Sequence, residues 1–168
     1  HILTGYDHIL FIIAFILTTS HIKDLAKITI SFTIAHSITI ILSSLNLISF
    51  TPRIVEPIIA LSIAFLAFQN IINRGKKIQT WKITFIFGLI HGLGFAGVLK
   101  EIQIPKDYFI TSIISFNIGI EIGQLIILAI LVPILLFTYK KGYKKSVTRY
   151  TSLALMLAGI ILFINRVV

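Results

Sequence analysis

Three histidines, His8, His36 and His91, and two carboxylates, Asp7 and Glu121, lie inside long apolar stretches of this 168-residue chain. Placing an ionisable group in a membrane span costs at least about 2.5 kcal/mol on insertion scales, so the groups kept there are functional candidates. Imidazole with carboxylate suits first-row divalent ions such as nickel, cobalt and zinc. The absence of cysteine excludes thiolate clusters, disulfides and cysteine nucleophiles. His8, His36, His91 and one carboxylate make a four-ligand set. Asp7 sits about 100° round a helix from His8, so the two share an ion only where the helix start is distorted. Otherwise Asp7 serves by orienting another histidine.

Spacing points these groups to a shared inward face. His1 and His8 are seven apart, with Thr4 between them, and stack on one side of a helix. Thr33, His36, Ser37 and Ile40 follow the three-and-four rhythm, and Asn117, Glu121 and Gln124 form one polar stripe in an apolar run that cannot comfortably face lipid. His1, Ser37, Glu56, Asn117 and Gln124 are therefore candidate supporting partners of the ligand set. Each also has a plainer role. A lone intramembrane histidine serves as an interhelical hydrogen bond of about 0.6 to 2 kcal/mol, and Asn117 and Gln124 as packing glue. Glu56, before Pro57, suits a helix amino terminus. Tyr6, Trp81, Tyr108, Tyr139 and Tyr143 fall near span ends as interfacial anchors, and Phe11, Phe15, Phe85 and Phe87 read as packing or lipid-facing residues.

The elements that position these groups follow from composition. Hydrophobic residues make up 57% and charged residues 12%, half the charged share of a typical soluble domain, and the mean hydropathy is +1.00. A span needs about 20 residues, which predicts an all-α polytopic membrane protein, six transmembrane helices in one bundle and one domain over 1–168. The expected spans are approximately 2–19, 28–48, 55–72, 81–99, 109–139 and 151–164. The fifth exceeds one bilayer and contains Pro133, so it should tilt, kink or protrude. The chain begins at His1 rather than Met, which suggests a preceding signal peptide or amino-terminal domain.

The net charge of +9 reads as a topology signal. Eleven of the fifteen Lys and Arg residues fall in or beside the first, third and fifth loops, against Arg53, Lys100, Lys106 and Arg166 on the other side. The odd loops are then cytoplasmic and both termini outside. A nucleic-acid role is disfavoured, because no basic face on a soluble module accompanies the charge. Counting about 1.5 Å per residue from the outer end places His8 roughly 10 Å deep, His91 about 12 Å, and His36 and Glu121 about 18 Å, with Glu56 near the rim. Gly88 and Gly92 beside His91, and Ser115, Gly119 and Gly123 beside Glu121, predict close approach of the fourth and fifth helices to their neighbours. The glycines from Gly88 to Gly97 further suggest a local bend or break.

The segments His1-Ile2-Leu3-Thr4-Gly5-Tyr6-Asp7-His8-Ile9-Leu10-Phe11, Phe32-Thr33-Ile34-Ala35-His36-Ser37-Ile38-Thr39, Phe87-Gly88-Leu89-Ile90-His91-Gly92-Leu93-Gly94-Phe95-Ala96 and Phe116-Asn117-Ile118-Gly119-Ile120-Glu121-Ile122-Gly123-Gln124 together resemble the HupE/UreJ membrane proteins, in particular the second branch of that family. The resemblance implies a six-helix protein of the bacterial inner membrane and a nickel or cobalt permease. The family's histidine-and-aspartate motif of the first span matches His1, Asp7 and His8. Its other signatures match His36, His91, Asn117 and Glu121.

Two functional classes use these residues. In a divalent-metal permease the outer-half ligands form a partly dehydrated site weak enough to release inward, although the inner half offers few polar groups beyond Gln69, Asn70 and Thr138. In the alternative, an intramembrane zinc-type hydrolase or transferase acts on a lipid or lipidated substrate. Its metal-bound water is activated, with Asp7 or Glu121 as general base and Ser37 or Asn117 as oxyanion donor. A third reading is a metal-sensing or accessory subunit. All three have the lipid bilayer as partner and a divalent ion of nickel, cobalt or zinc as substrate or cofactor.

Overall fold

In lipid every backbone N–H and C=O must be satisfied within its own segment, so apolar runs of this length fold as helices. The computed structural model describes residues 6–18, 21–72, 80–101 and 108–168. Among them are six helices and no strand: α1 (Tyr6–Ile16), α2 (Ile22–Ser44), α3 (Pro52–Ile72), α4 (Thr80–Glu101), α5 (Phe109–Lys140) and α6 (Lys144–Val167). Four segments of the described residues, Lys23–Ser44, Pro52–Ile72, Ile110–Lys140 and Lys144–Val167, are long and apolar enough to cross a membrane. The protein is a helical membrane protein.

The helices outrun the hydropathy boundaries. α2 begins at Ile22 and α6 at Lys144, several residues before the apolar runs at Ile28 and Thr151. Hydropathy marks the edge of the hydrocarbon, whereas a helix continues through polar good formers such as Lys and ends where its carbonyls find other donors. α2 ends at Asn46 with φ 58°, where Leu47 N–H donates to Leu42 O at 3.0 Å. α5 ends in the same way at Gly142, φ 86°, with Tyr143 N–H donating to Thr138 O at 3.2 Å. Both are left-handed caps that collect orphaned carbonyls. The expected break in the glycine-rich segment does not occur: α4 runs unbroken from Thr80 to Glu101. α5 likewise continues through Pro133.

Two helix pairs make the frame, α2 lying along α4 and α3 along α6, while α1 packs chiefly on α3 and α5 touches α1, α2 and α6 more lightly. The core centres on Phe11, Phe15, Phe32, Ile63 and Leu66, all fully buried. Glycine decides the closest crossings. A Cβ on Gly88 would stand 2.7 Å from Phe32 O, and one on Gly92 2.6 Å from His36 O, so these two residues let α4 lie directly on the α2 backbone. Gly159 does the same for α6 on α3, where a Cβ would meet Ala64 N at 2.8 Å. The matching expectation for α5 fails. Gly119 and Gly123 have nothing within 4 Å of a Cβ position, because α5 is attached through its polar stripe instead.

Candidate functional site

α1, α2 and α4 each contribute one histidine to a single cluster. The His8 ring stands edge-on to His36 at 5.5 Å between centroids and to His91 at 5.2 Å. His36 and His91 are fully buried and His8 is half-buried. The helix register explains the convergence: Gly92 brings the backbone of α4 against His36 O, one residue from His91.

Two phenylalanines complete the cluster. Phe32, one turn before His36 on α2, stacks on the His36 ring at 5.7 Å and meets His91 edge-on at 5.3 Å. Phe11, one turn after His8, lies 4.8 Å from the His91 ring. Phe32 was not singled out by its sequence context, and its spacing to His36 was the available signal. An imidazole bound at about 2.1 Å to a tetrahedral ion has its centre about 5 Å from that of a second imidazole on the same ion. The separations of His8 from its two neighbours match that spacing. Among the described residues no three His, Asp or Glu side chains stand as a group that could hold a metal ion as placed.

The hydrogen inventory around His91 fixes which nitrogen it offers. Ser62 on α3 has its oxygen 2.6 Å from Ile59 O and 3.1 Å from His91 Nε2. A serine has one hydroxyl hydrogen and a carbonyl can only accept, so Ser62 donates to Ile59 O and accepts from His91 Nε2–H. In the neutral ring this leaves the lone pair on Nδ1. That atom is buried and has no hydrogen-bond partner among the described residues.

α5 places its stripe against the helix that carries His36. The Ser37 hydroxyl lies 2.7 Å from both Thr33 O and Asn117 Oδ1, while the Asn117 amide donates to Ile113 O at 2.9 Å. Thr33 donates to Gln124 Oε1 at 3.3 Å. These two links bracket Glu121, whose register between Asn117 and Gln124 puts it at the level of His36. Glu121 is half-buried.

Asp7 has a partner that the sequence did not reveal. Arg166, near the end of α6, donates to both Asp7 oxygens, at 2.7 Å to Oδ2 and 3.2 Å to Oδ1. It also donates to Glu56 O at 3.1 Å and lies 3.8 Å from Glu56 Oε2. One guanidinium thus ties the first turn of α1 and the second turn of α3 to the last turn of α6, with Asp7 next to His8 in the chain. Charge counting had placed Arg166 on the same side as Asp7 and Glu56 but gave no reason to pair them. At the other end Asn70 donates to Ala14 O at 2.7 Å and Thr138 to Leu135 O at 2.8 Å, so both serve backbone carbonyls. His1 lies outside the described residues.

A model of the HupE / UreJ protein family matches residues 1–166. The chain belongs to the HupE/UreJ family. No curated protein and no solved structure matches it. The family match spans every helix that contributes to the histidine cluster, together with Arg166 on α6.

Proposed function

We propose that this HupE/UreJ member is a bacterial inner-membrane permease for a divalent transition metal ion of the nickel or cobalt type. In this reading six spans form one bundle with both ends outside the cytoplasm. His8, His36 and His91 take the ion as substrate, with Glu121 as the carboxylate closing the set. The observation that carries the reading is the meeting of three histidines from three helices, the His8 ring lying 5.5 Å from His36 and 5.2 Å from His91. The donor set supports it further: imidazole nitrogens without thiolates suit nickel, cobalt and zinc, and His91 Nδ1 has no hydrogen-bond partner among the described residues. Ser62 and Asn117 orient their neighbours, and Asp7, Glu56 and Arg166 set the spacing of three helix ends around the site.

The intramembrane hydrolase is the weaker reading. Asp7, one of its two general bases, has both oxygens engaged by Arg166. Ser37, one of its two oxyanion donors, has its single hydroxyl hydrogen engaged by Thr33 O and Asn117 Oδ1, and the Asn117 amide donates to Ile113 O.

Uptake of nickel, cobalt and zinc into proteoliposomes tests the permease, with bound metal counted on the same preparations for wild type, His8→Ala and His36→Ala. Saturable flux in the wild type and its loss in both folded variants is the expected result. Bound metal near one per chain without flux would overturn transport in favour of an enzyme or sensor, and equal metal content in all three proteins would remove the histidine site itself.

A further inference from the structure

Far from the histidines, α5 and α6 do something that crossing a membrane does not require. α5 has 32 residues, about 48 Å of helix against a hydrocarbon core about 30 Å thick. The first nine residues of α6, Lys144 to Ser152, are mostly polar, and its apolar run starts only at Leu153. α5 is therefore longer than one hydrocarbon crossing, and it meets the polar start of α6 at the tight turn at Gly142.

A largely open groove of about 570 Å³ runs along the end of α5, lined by Pro133, Leu136, Phe137, Tyr139 and Lys140, with Lys144 of α6 at its edge. Its floor, from Pro133 to Phe137, is apolar and its rim is basic. Ring contacts hold two of the ammonium groups at this corner: Lys141 lies over Phe137 at 4.5 Å and Lys144 over Tyr139 at 5.3 Å. Tyr139 also reaches across to α6, its hydroxyl 3.4 Å from Thr148 Oγ1. Between Tyr139 and Tyr150 stand Lys140, Lys141, Lys144, Lys145 and Arg149, and no Asp or Glu occurs anywhere from Tyr139 to Val168.

We propose that this groove along the end of α5, edged by the start of α6, binds an anionic phospholipid, with the acyl chain on Pro133, Leu136 and Phe137 and the phosphate at Lys140 and Lys144. The charge is complementary to a phosphate, and a basic cluster at the end of an apolar membrane helix is where anionic headgroups are attracted. An apolar floor directly below a cationic rim matches an amphiphile rather than a free anion, which would gain nothing from Leu136 or Phe137. The site fixes the corner of a lightly attached helix without drawing on the histidine cluster, and it stands whether or not the chain transports metal.

Native mass spectrometry of the full chain released from micelles reads the occupancy directly, with phosphatidylglycerol and phosphatidylcholine of equal chain length titrated in parallel. Phosphatidylglycerol should bind in preference to phosphatidylcholine. Each lysine at a charged surface contributes roughly a five-fold factor, so K140Q/K144Q should remove most of that preference, whereas K23Q/K27Q, exposed lysines at the start of α2, should keep it. Leu136→Trp, which fills the floor and keeps every charge, should also lower binding. Equal retention of the two lipids by the wild type would overturn the proposal. So would equal losses in the two lysine variants, full binding in Leu136→Trp, or displacement of the lipid by millimolar inorganic phosphate, which would mark a free-anion site.

Discussion

Replacing Gly92 by alanine puts a methyl group where α4 rests on the α2 backbone. Its Cβ would stand 2.6 Å from His36 O and 2.9 Å from Thr39 Cβ, whereas ordinary contact begins at 3.4 Å. The obstacle is main chain, so α4 must retreat by about 0.8 Å in a close-packed region. Overpacking of this kind costs about 1 to 3 kcal/mol, offset by about 1 kcal/mol from the better helix propensity of alanine. Gly119→Ala is the matched control. It stands in a similar small-residue series on α5 but meets nothing within 4 Å, so only the propensity gain of up to about 1 kcal/mol remains. The two variants should differ by about 1 to 3 kcal/mol in unfolding free energy, Gly92→Ala being the less stable. A second consequence falls on the site. Metal–ligand distances tolerate about 0.2 Å, and His91 moves with its neighbour, so nickel affinity should fall at least about ten-fold in Gly92→Ala and stay unchanged in Gly119→Ala. Denaturant unfolding in micelles and calorimetric nickel titration measure both. The reasoning is refuted if Gly92→Ala matches Gly119→Ala in stability, or if it binds nickel like the wild type while His8→Ala does not.

The remaining predictions concern partners of the site. Ser62→Ala should leave His91 Nε2–H without an acceptor, costing about 1 to 3 kcal/mol and weakening metal affinity about 10- to 100-fold. Nitrogen-15 NMR of labelled imidazoles, assigned with His91→Gln, should show the Nε2–H tautomer of His91 in the wild type and its loss in Ser62→Ala; an Nδ1–H ring in the wild type would contradict the assignment. Arg166→Gln removes the fork on Asp7 and the cation beside Glu56, a loss of about 2 kcal/mol. Asp7→Asn should cost a similar amount, and the double variant should lose less than the two single losses combined by about 1 kcal/mol; strictly additive losses would mean that the pair does not interact in the folded protein.

The sequence by itself determined that this is a helical membrane protein and which helices carry histidine, because the bilayer imposes a local rule. Any run long and apolar enough must satisfy its own backbone, and depth follows from a constant rise per residue. The same rule made His8, His36 and His91 legible as groups at overlapping depth, and Asn117, Glu121 and Gln124 as one face. Which helix a face meets is not local. Gly88 with Gly92 and Gly119 with Gly123 carry the same spacing, yet the first pair seats α4 on α2 and the second touches nothing; only the arrangement of the bundle distinguishes them. Asp7 and Arg166 are 159 positions apart, and their fork exists because α1 and α6 bring their ends to one corner beside α3. The choice of Nδ1 on His91 depended on a serine from a different helix and on the carbonyl to which that serine gives its single hydrogen. Periodicity can place a polar group on a face and at a depth, whereas partners, tautomers and close crossings are decided by contacts between segments remote in sequence.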